Sequence, residues 1–129
     1  MLKESFVEAP AETTTEQLDP KILRRAEILE KAADIIDTDG WTRGNLRRGE
    51  RRCAVGAISK AAGIDGQYPS SQTPAAWGAV KALGDVVSPN RSHYAEVVDR
   101  VTSWNDARAR TAKEVSRKLR EAAARLLQR

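Results

Sequence analysis

Three times in this chain, a residue type that caps helices stands directly before a proline: Asp19-Pro20, Thr73-Pro74 and Ser88-Pro89. An Asp, Thr or Ser side chain can bond the orphan N–H groups of a helix start, and proline is tolerated at the first helical position, where its missing N–H is harmless. The residue before a proline also disfavours the helical conformation. The three dipeptides therefore predict three helix starts.

Apolar spacing supports helices throughout. Ile22, Ala26, Leu29, Ala33 and Ile36 form one stripe that ends at "DTDG", where Gly40 can terminate the helix. A short helix of small residues is expected over 53–62, and others after Thr73-Pro74 and Ser88-Pro89. Thr111 and Glu114 form a T-x-x-E capping box, which predicts reciprocal side-chain bonds at the start of a last helix. No segment shows sustained alternation, so we predict no sheet.

The first 18 residues carry Lys3 against four acidic residues and show no apolar period. This composition is typical of a flexible segment. We predict an acidic tail over 1–18 and a single helical domain over 19–129. The fold class is all-α, a compact bundle-like domain of about five helices.

Composition excludes several functions. One cysteine and one histidine form neither an internal disulfide nor a zinc site of Cys and His ligands, and no phosphate-binding glycine motif is present. We expect no metal and no cofactor. The chain also lacks an apolar run long enough for a signal peptide or a membrane span. A cytoplasmic protein that does not enter membranes is expected, and the oligomeric state stays open.

Cys53 is the one hint of covalent chemistry. Cys53, His93 and Asn105 occur in the chain order of papain-like cysteine peptidases, and a cysteine at a helix N-terminus near arginines would have a lowered pKa. A buried cysteine, however, usually behaves as a small hydrophobe, and no strands are predicted to carry the partners. A hydrolase using Cys53 and His93, with Asn105 or Asp106, is one alternative; packing is the preferred interpretation.

Charge supplies the second candidate. The chain has a net charge of +4, and "RGNLRRGERR" carries Arg43, Arg47, Arg48, Arg51 and Arg52 on a glycine-rich stretch expected to be a loop. Clustered arginines suit a phosphate backbone, although no helix-turn-helix pattern accompanies them. An acidic protein partner fits the same charge, so both partners stay open.

Two loops carry the remaining candidates. Trp41, like Trp77 and Trp104, is expected to organise the core, with recognition of a partner as the alternative for Trp41. Asn105 and Asp106 are expected to cap or close a turn, and Asp106 could pair with Arg43 or Arg110.

The segments "GWTRG", "CAVGAI", "WND" and "RTAKEV" together resemble a family of small uncharacterised proteins from actinobacteria and their phages. The resemblance covers Asp19 to Leu127 and implies a helical domain without a known activity. Its motif positions are Gly40, Trp41, Gly44, Cys53, Gly56, Ala57, Trp104, Asn105, Asp106 and Thr111. If the family has a site, the "GWTRG" and "WND" loops are expected to line it.

The resulting hypothesis is a non-enzymatic binding or regulatory module that engages a protein partner. Its candidate binding residues are Trp41, Arg43, Arg47, Arg48, Arg51, Arg52, Asn105 and Asp106. A nucleic-acid-binding protein and a small cysteine-dependent hydrolase are the two alternatives.

Overall fold

The computed structural model describes residues 18–88 and 96–128. It contains helices α1 (Pro20–Asp39), α2 (Ala54–Ala61), α3 (Pro74–Val87), α4 (Val97–Asp106) and α5 (Ala112–Leu127), with strands β1 (Arg47–Arg48) and β2 (Arg51–Arg52) between α1 and α2. The predicted helical class with five helices is confirmed. The expectations for residues 1–17, Pro89 and His93 lie outside the described residues.

Helix α1 begins and ends as its sequence predicts. The Asp19 carboxylate accepts a hydrogen bond from Lys21 N at 2.8 Å, and Pro20 takes the first helical position. At the other end Gly40 has a φ of 102°, a conformation that side chains disfavour. Its N–H donates to Ile36 O, which closes the last turn.

The second proline-based start differs from the prediction in detail. Helix α3 begins at Pro74, but Thr73 Oγ1 accepts from Ser70 N at 2.8 Å and makes no cap to the helix. The predicted helix start at Pro89 lies outside the described residues. The described helix α4 begins at Val97, after Glu96, which is extended with a ψ of 154°.

The capping box of α5 is half formed. Thr111 Oγ1 accepts from Glu114 N at 3.2 Å, as predicted. The Glu114 carboxylate instead accepts from Arg110 Nη1 at 2.7 Å. Arg110, four residues before Glu114, binds this carboxylate more strongly than a neutral backbone N–H would, because the hydrogen bond joins opposite charges.

The core is built around α2, seven of whose eight residues are buried. A side chain at Gly56 would overlap with the carbonyl oxygen of Leu46, so the segment before β1 packs directly on this helix. Helix α1 makes its most extensive packing with α5, and Arg120 joins them through Asp34 at 2.7 Å and Asp37 at 3.0 Å. The largest fully buried apolar side chains are Ile28, Leu29, Ile58, Leu83, Leu119, Val55, Val80, Val101 and Val115.

The prediction of no sheet is wrong over the arginine-rich stretch. Strands β1 and β2 form an antiparallel hairpin that pairs Arg47 with Arg52 and Arg48 with Arg51. The segment at Trp41 runs parallel to β2, since Arg52 N donates to Gly40 O at 3.1 Å and Thr42 N donates to Arg52 O at 3.2 Å. Strands of two residues are too short to show a period-two pattern.

In the described part of the chain, no helix combines the length and apolarity needed to cross a membrane.

Candidate functional site

A fully buried amide, that of Asn105, joins the two segments that the sequence singled out. The expectation that "WND" is a loop is wrong, since these residues form the last turn of α4. Its Oδ1 accepts from Trp41 Nε1 at 2.7 Å and from Ala54 N at 3.0 Å. Its Nδ2 donates to Thr42 O at 3.2 Å and to Asp106 Oδ1 at 2.9 Å. These four bonds use the full capacity of an amide. Asn105 therefore fixes the "GWTRG" loop, the end of α4 and the start of α2 relative to one another.

Neighbouring contacts close the same junction from outside. Arg43 Nη2 donates to the carbonyl oxygens of Arg108 at 3.0 Å and Arg110 at 2.7 Å, and Gly44 N donates to Asp106 Oδ1 at 2.9 Å. The alternative for Asp106, an ion pair with Arg43 or Arg110, is not formed within the described residues. Asp106 binds a backbone N–H because the loop lies directly over the end of α4.

The three tryptophans are half-buried and pack against the edge of the core. Trp41 has its N–H bound to Asn105 and lies under the Arg43 guanidinium, whose carbon is 4.8 Å from the ring centre. Arg110 covers Trp104 in the same manner at 4.4 Å. Trp41 thus already uses its polar atom and one ring face inside the protein, which makes it a poor anchor for a partner.

One of the arginines predicted to bind a partner is buried. Arg52 is 1% exposed and binds both carboxylate oxygens of Asp65, through Nε at 2.9 Å and Nη2 at 2.7 Å. Its Nη1 donates to Glu50 O at 2.7 Å, so Arg52 stabilises the hairpin and is not a surface residue. Arg47, Arg48 and Arg51 are exposed, and Arg47 lies 3.5 Å from the same Asp65 carboxylate.

Cys53 occupies the N-cap of α2, where its Sγ accepts from Gly56 N at 3.3 Å. The expected lowering of its pKa is wrong. Burial raises the pKa of the thiol above its ordinary value and outweighs the opposing backbone hydrogen bonds. The protonated thiol is a weak nucleophile, and Asn105 is fully engaged in structural bonds. The packing interpretation of Cys53 accounts for both observations.

A cleft of about 670 Å³ opens beside this junction. Its walls come from the loop after Gly44, the 68–71 loop, the first turn of α3 and one face of α4. Among the described residues, Tyr68 at its rim is the one large hydrophobic side chain that is exposed, with 59% of its surface accessible. The lining residues are Gly44, Asn45, Leu46, Cys53, Tyr68, Pro69, Ser70, Ser71, Trp77, Glu96, Val98, Asp99, Thr102 and Asp106.

The charge of this cleft is opposite to that of the whole chain. The lining includes three carboxylates, those of Glu96, Asp99 and Asp106. None of its described residues is a lysine or an arginine. The chain as a whole is positive, at +4. The same described part holds no cluster of histidine, cysteine and carboxylate side chains that could bind a metal ion.

A family model matches residues 21–125, which covers the domain, both segments and the cleft. The chain belongs to DUF6197, a family of unknown function. Neither a curated protein nor a solved structure matches it. The resemblance to a family of uncharacterised proteins is confirmed at this level.

The structure brings together Trp41, Asn105 and Asp106, and the accessible cleft lies beside them. Tyr68, Trp77, Glu96 and Asp99 were not among the predicted binding residues. Of these four residues, Tyr68 alone could have been identified from the sequence. It is an aromatic residue in a loop of Gly, Pro and Ser, and loop residues lie at the surface, where binding residues are common. Glu96 and Asp99 resemble any solvated charge on a helix.

Proposed function

We propose that this DUF6197 protein is a non-enzymatic binding module that engages a protein partner through the cleft beside the Asn105 junction. The observation that carries the proposal is the exposed Tyr68 ring at the rim of a cleft that also contains Trp77. Tyrosine and tryptophan dominate the energetic centres of protein interfaces because they offer a large contact area with little flexibility.

Rigidity of the cleft supports the same proposal. The Gly44 end is held by Asp106 and Asn105, and Ser59 Oγ donates to Gln67 O at 2.6 Å just before Tyr68. At the other side of that loop, Thr73 Oγ1 accepts from Ser70 N and donates to Ser70 O. A surface that is already ordered loses less entropy when a partner binds.

A nucleic-acid partner is less consistent with these contacts. Arg52 is buried against Asp65, and the exposed Arg47 lies near the same carboxylate. Among the described residues, this leaves Arg48 and Arg51 as the exposed arginines of the hairpin that pair with no carboxylate. Phosphate binding needs several free cations, and a cleft lined by carboxylates repels a phosphate backbone.

Selection of short random-sequence peptides displayed on phage, against the full chain, tests the proposal. Selected peptides should bind wild type with micromolar affinity, and Tyr68→Ala should weaken them about tenfold, as loss of an aromatic interface anchor does. Tyr68→Phe, which keeps the ring, is the matched control and should retain most of the affinity. Peptides that bind both Tyr68 variants as well as wild type would contradict the proposed site.

A mixed-sequence DNA duplex and a single-stranded RNA are run beside the peptides. We expect no binding at about 50 mM salt, where even non-specific phosphate contacts are visible. Binding that falls steeply with salt and is lost in Arg48→Ala/Arg51→Ala would favour nucleic acid instead.

The actinobacterial or phage origin and the cytoplasmic location expected from the sequence stay predictions. Fractionation of a native host with an antibody against the chain tests the location.

A further inference from the structure

The charge and shape of the cleft narrow the class of partner, on the basis of the proposed function. We infer that the cleft binds a basic segment of a protein, whose arginine or lysine side chain pairs with Glu96 and Asp99 and packs its stem against the rings of Tyr68 and Trp77.

Charge complementarity points to the basic partner. Glu96 and Asp99 are exposed, and both lie at the start of α4, one on the last residue before the helix and one in its first turn. Protein interfaces match potentials of opposite sign, and a lysine or arginine that approaches these carboxylates gains from both. The net charge of +4 favours an acidic partner, but the lining of this cleft carries three carboxylates and no described lysine or arginine.

The aromatic residues favour a cation on a long apolar stem. An arginine or lysine can lie along an aromatic face with its stem while its charge reaches a carboxylate, and guanidinium groups also stack on such rings. Tyr68 and Trp77 supply the rings, and the hydroxyls of Ser70, Ser71 and Thr102 lie in the same lining. A peptide offers backbone groups that these hydroxyls can bind.

The composition of the lining argues against a small apolar ligand. Small-molecule pockets are lined mainly by hydrophobic residues with few polar groups. Here seven of the fourteen lining residues carry polar or charged side chains, a composition closer to that of a peptide-binding surface.

The test uses the full chain and the displayed random-peptide library. Selected peptides should be enriched in arginine and lysine relative to the input library. The double variant Glu96→Gln/Asp99→Asn should weaken their binding by about fivefold or more, the sum of two exposed ion pairs. Glu27→Gln/Glu50→Gln removes the same charge from two exposed sites outside the cleft and should change affinity by less than about twofold.

Three results would overturn the inference, and they are distinguishable from failure of the proposed function. Peptides without basic residues that still depend on Tyr68 would leave the cleft as a binding site but refute the basic partner. Equal loss of affinity in both double variants would show a general charge effect. Enrichment of acidic peptides would place the interaction on the arginines. If no selected peptide depends on Tyr68, the proposed function itself fails. Circular dichroism of each variant confirms that it is folded.

Discussion

Replacement of Asn105 by alanine should destabilise the protein more than any other single polar substitution in the loops around the cleft. The side chain is 0% exposed and makes four hydrogen bonds. Its removal leaves Ala54 N, Trp41 Nε1 and Thr42 O without their partner. Ala54 is completely buried and Thr42 is 7% exposed, so water does not reach these groups freely.

The expected magnitude follows from those three groups. An unsatisfied buried donor or acceptor costs about 1–3 kcal/mol, and the half-buried Trp41 N–H belongs at the low end. We expect Asn105→Ala to lower the free energy of unfolding by about 3–5 kcal/mol in total, a large part of the roughly 5–15 kcal/mol of a typical domain. At about 4 °C for each kcal/mol in a domain of this size, Tm should fall by roughly 12–20 °C.

Urea unfolding followed by circular dichroism and by tryptophan fluorescence measures this loss. Asn45→Ala is the matched control, since Asn45 is exposed on the same loop and should change stability by no more than about 0.5 kcal/mol. A loss below about 1 kcal/mol in Asn105→Ala would refute the reasoning, because it would mean that the loops keep their arrangement without the buried amide.

Three further substitutions or probes test the surrounding structure. Asp65→Asn should lower the free energy of unfolding by about 2–3 kcal/mol, because the substitution leaves the buried Arg52 without its counter-charge. The loss is smaller than for a fully buried pair because Asp65 is partly exposed. Arg52 also holds the pKa of Asp65 below its usual range, so this stabilisation is complete at neutral pH and is lost as pH falls below about 4. In urea titrations at several pH values, the free energy of unfolding should therefore fall less steeply at acid pH in Asp65→Asn than in wild type. A disulfide-exchange probe at pH 7 should label Cys53 at least about tenfold more slowly in the native protein than in urea, and rapid native labelling would restore the hydrolase alternative. Thr111→Ala should lower stability by about 1 kcal/mol in urea unfolding, while the exposed Lys113→Ala should not, and equal effects would place the start of α5 elsewhere.

Local rules were sufficient to predict most of the helices. Asp19-Pro20 and Gly40 bound α1 at both ends, and the small residues after Cys53 predicted a closely packed helix. These signals act within a few residues of the chain, so the sequence carries them directly. The start of α4 at Val97 has no such signal, because Glu96 makes no side-chain cap to the helix and no proline follows it.

The candidate site was harder to predict because it depends on contacts between distant segments. The four bonds of Asn105 include partners 51, 63 and 64 residues away. Arg52 looks like its neighbours in sequence, yet its pairing with Asp65 buries it while Arg51 stays exposed. In the hairpin, one of these adjacent arginines is exposed and the other is buried. The sequence alone shows no pattern that predicts this hairpin.

The three indole N–H signals of the protein give the most direct test of the cleft as the binding site. In a ¹⁵N-labelled sample titrated with a selected basic peptide, the signal of Trp77 should move, since Trp77 lines the cleft. The signal of Trp104, which does not line it, should stay in place, and that of Trp41 should stay in place because its N–H remains bound to Asn105. Single Trp→Phe variants assign the three signals. Movement of Trp104 or Trp41 with an unchanged Trp77 would contradict the account.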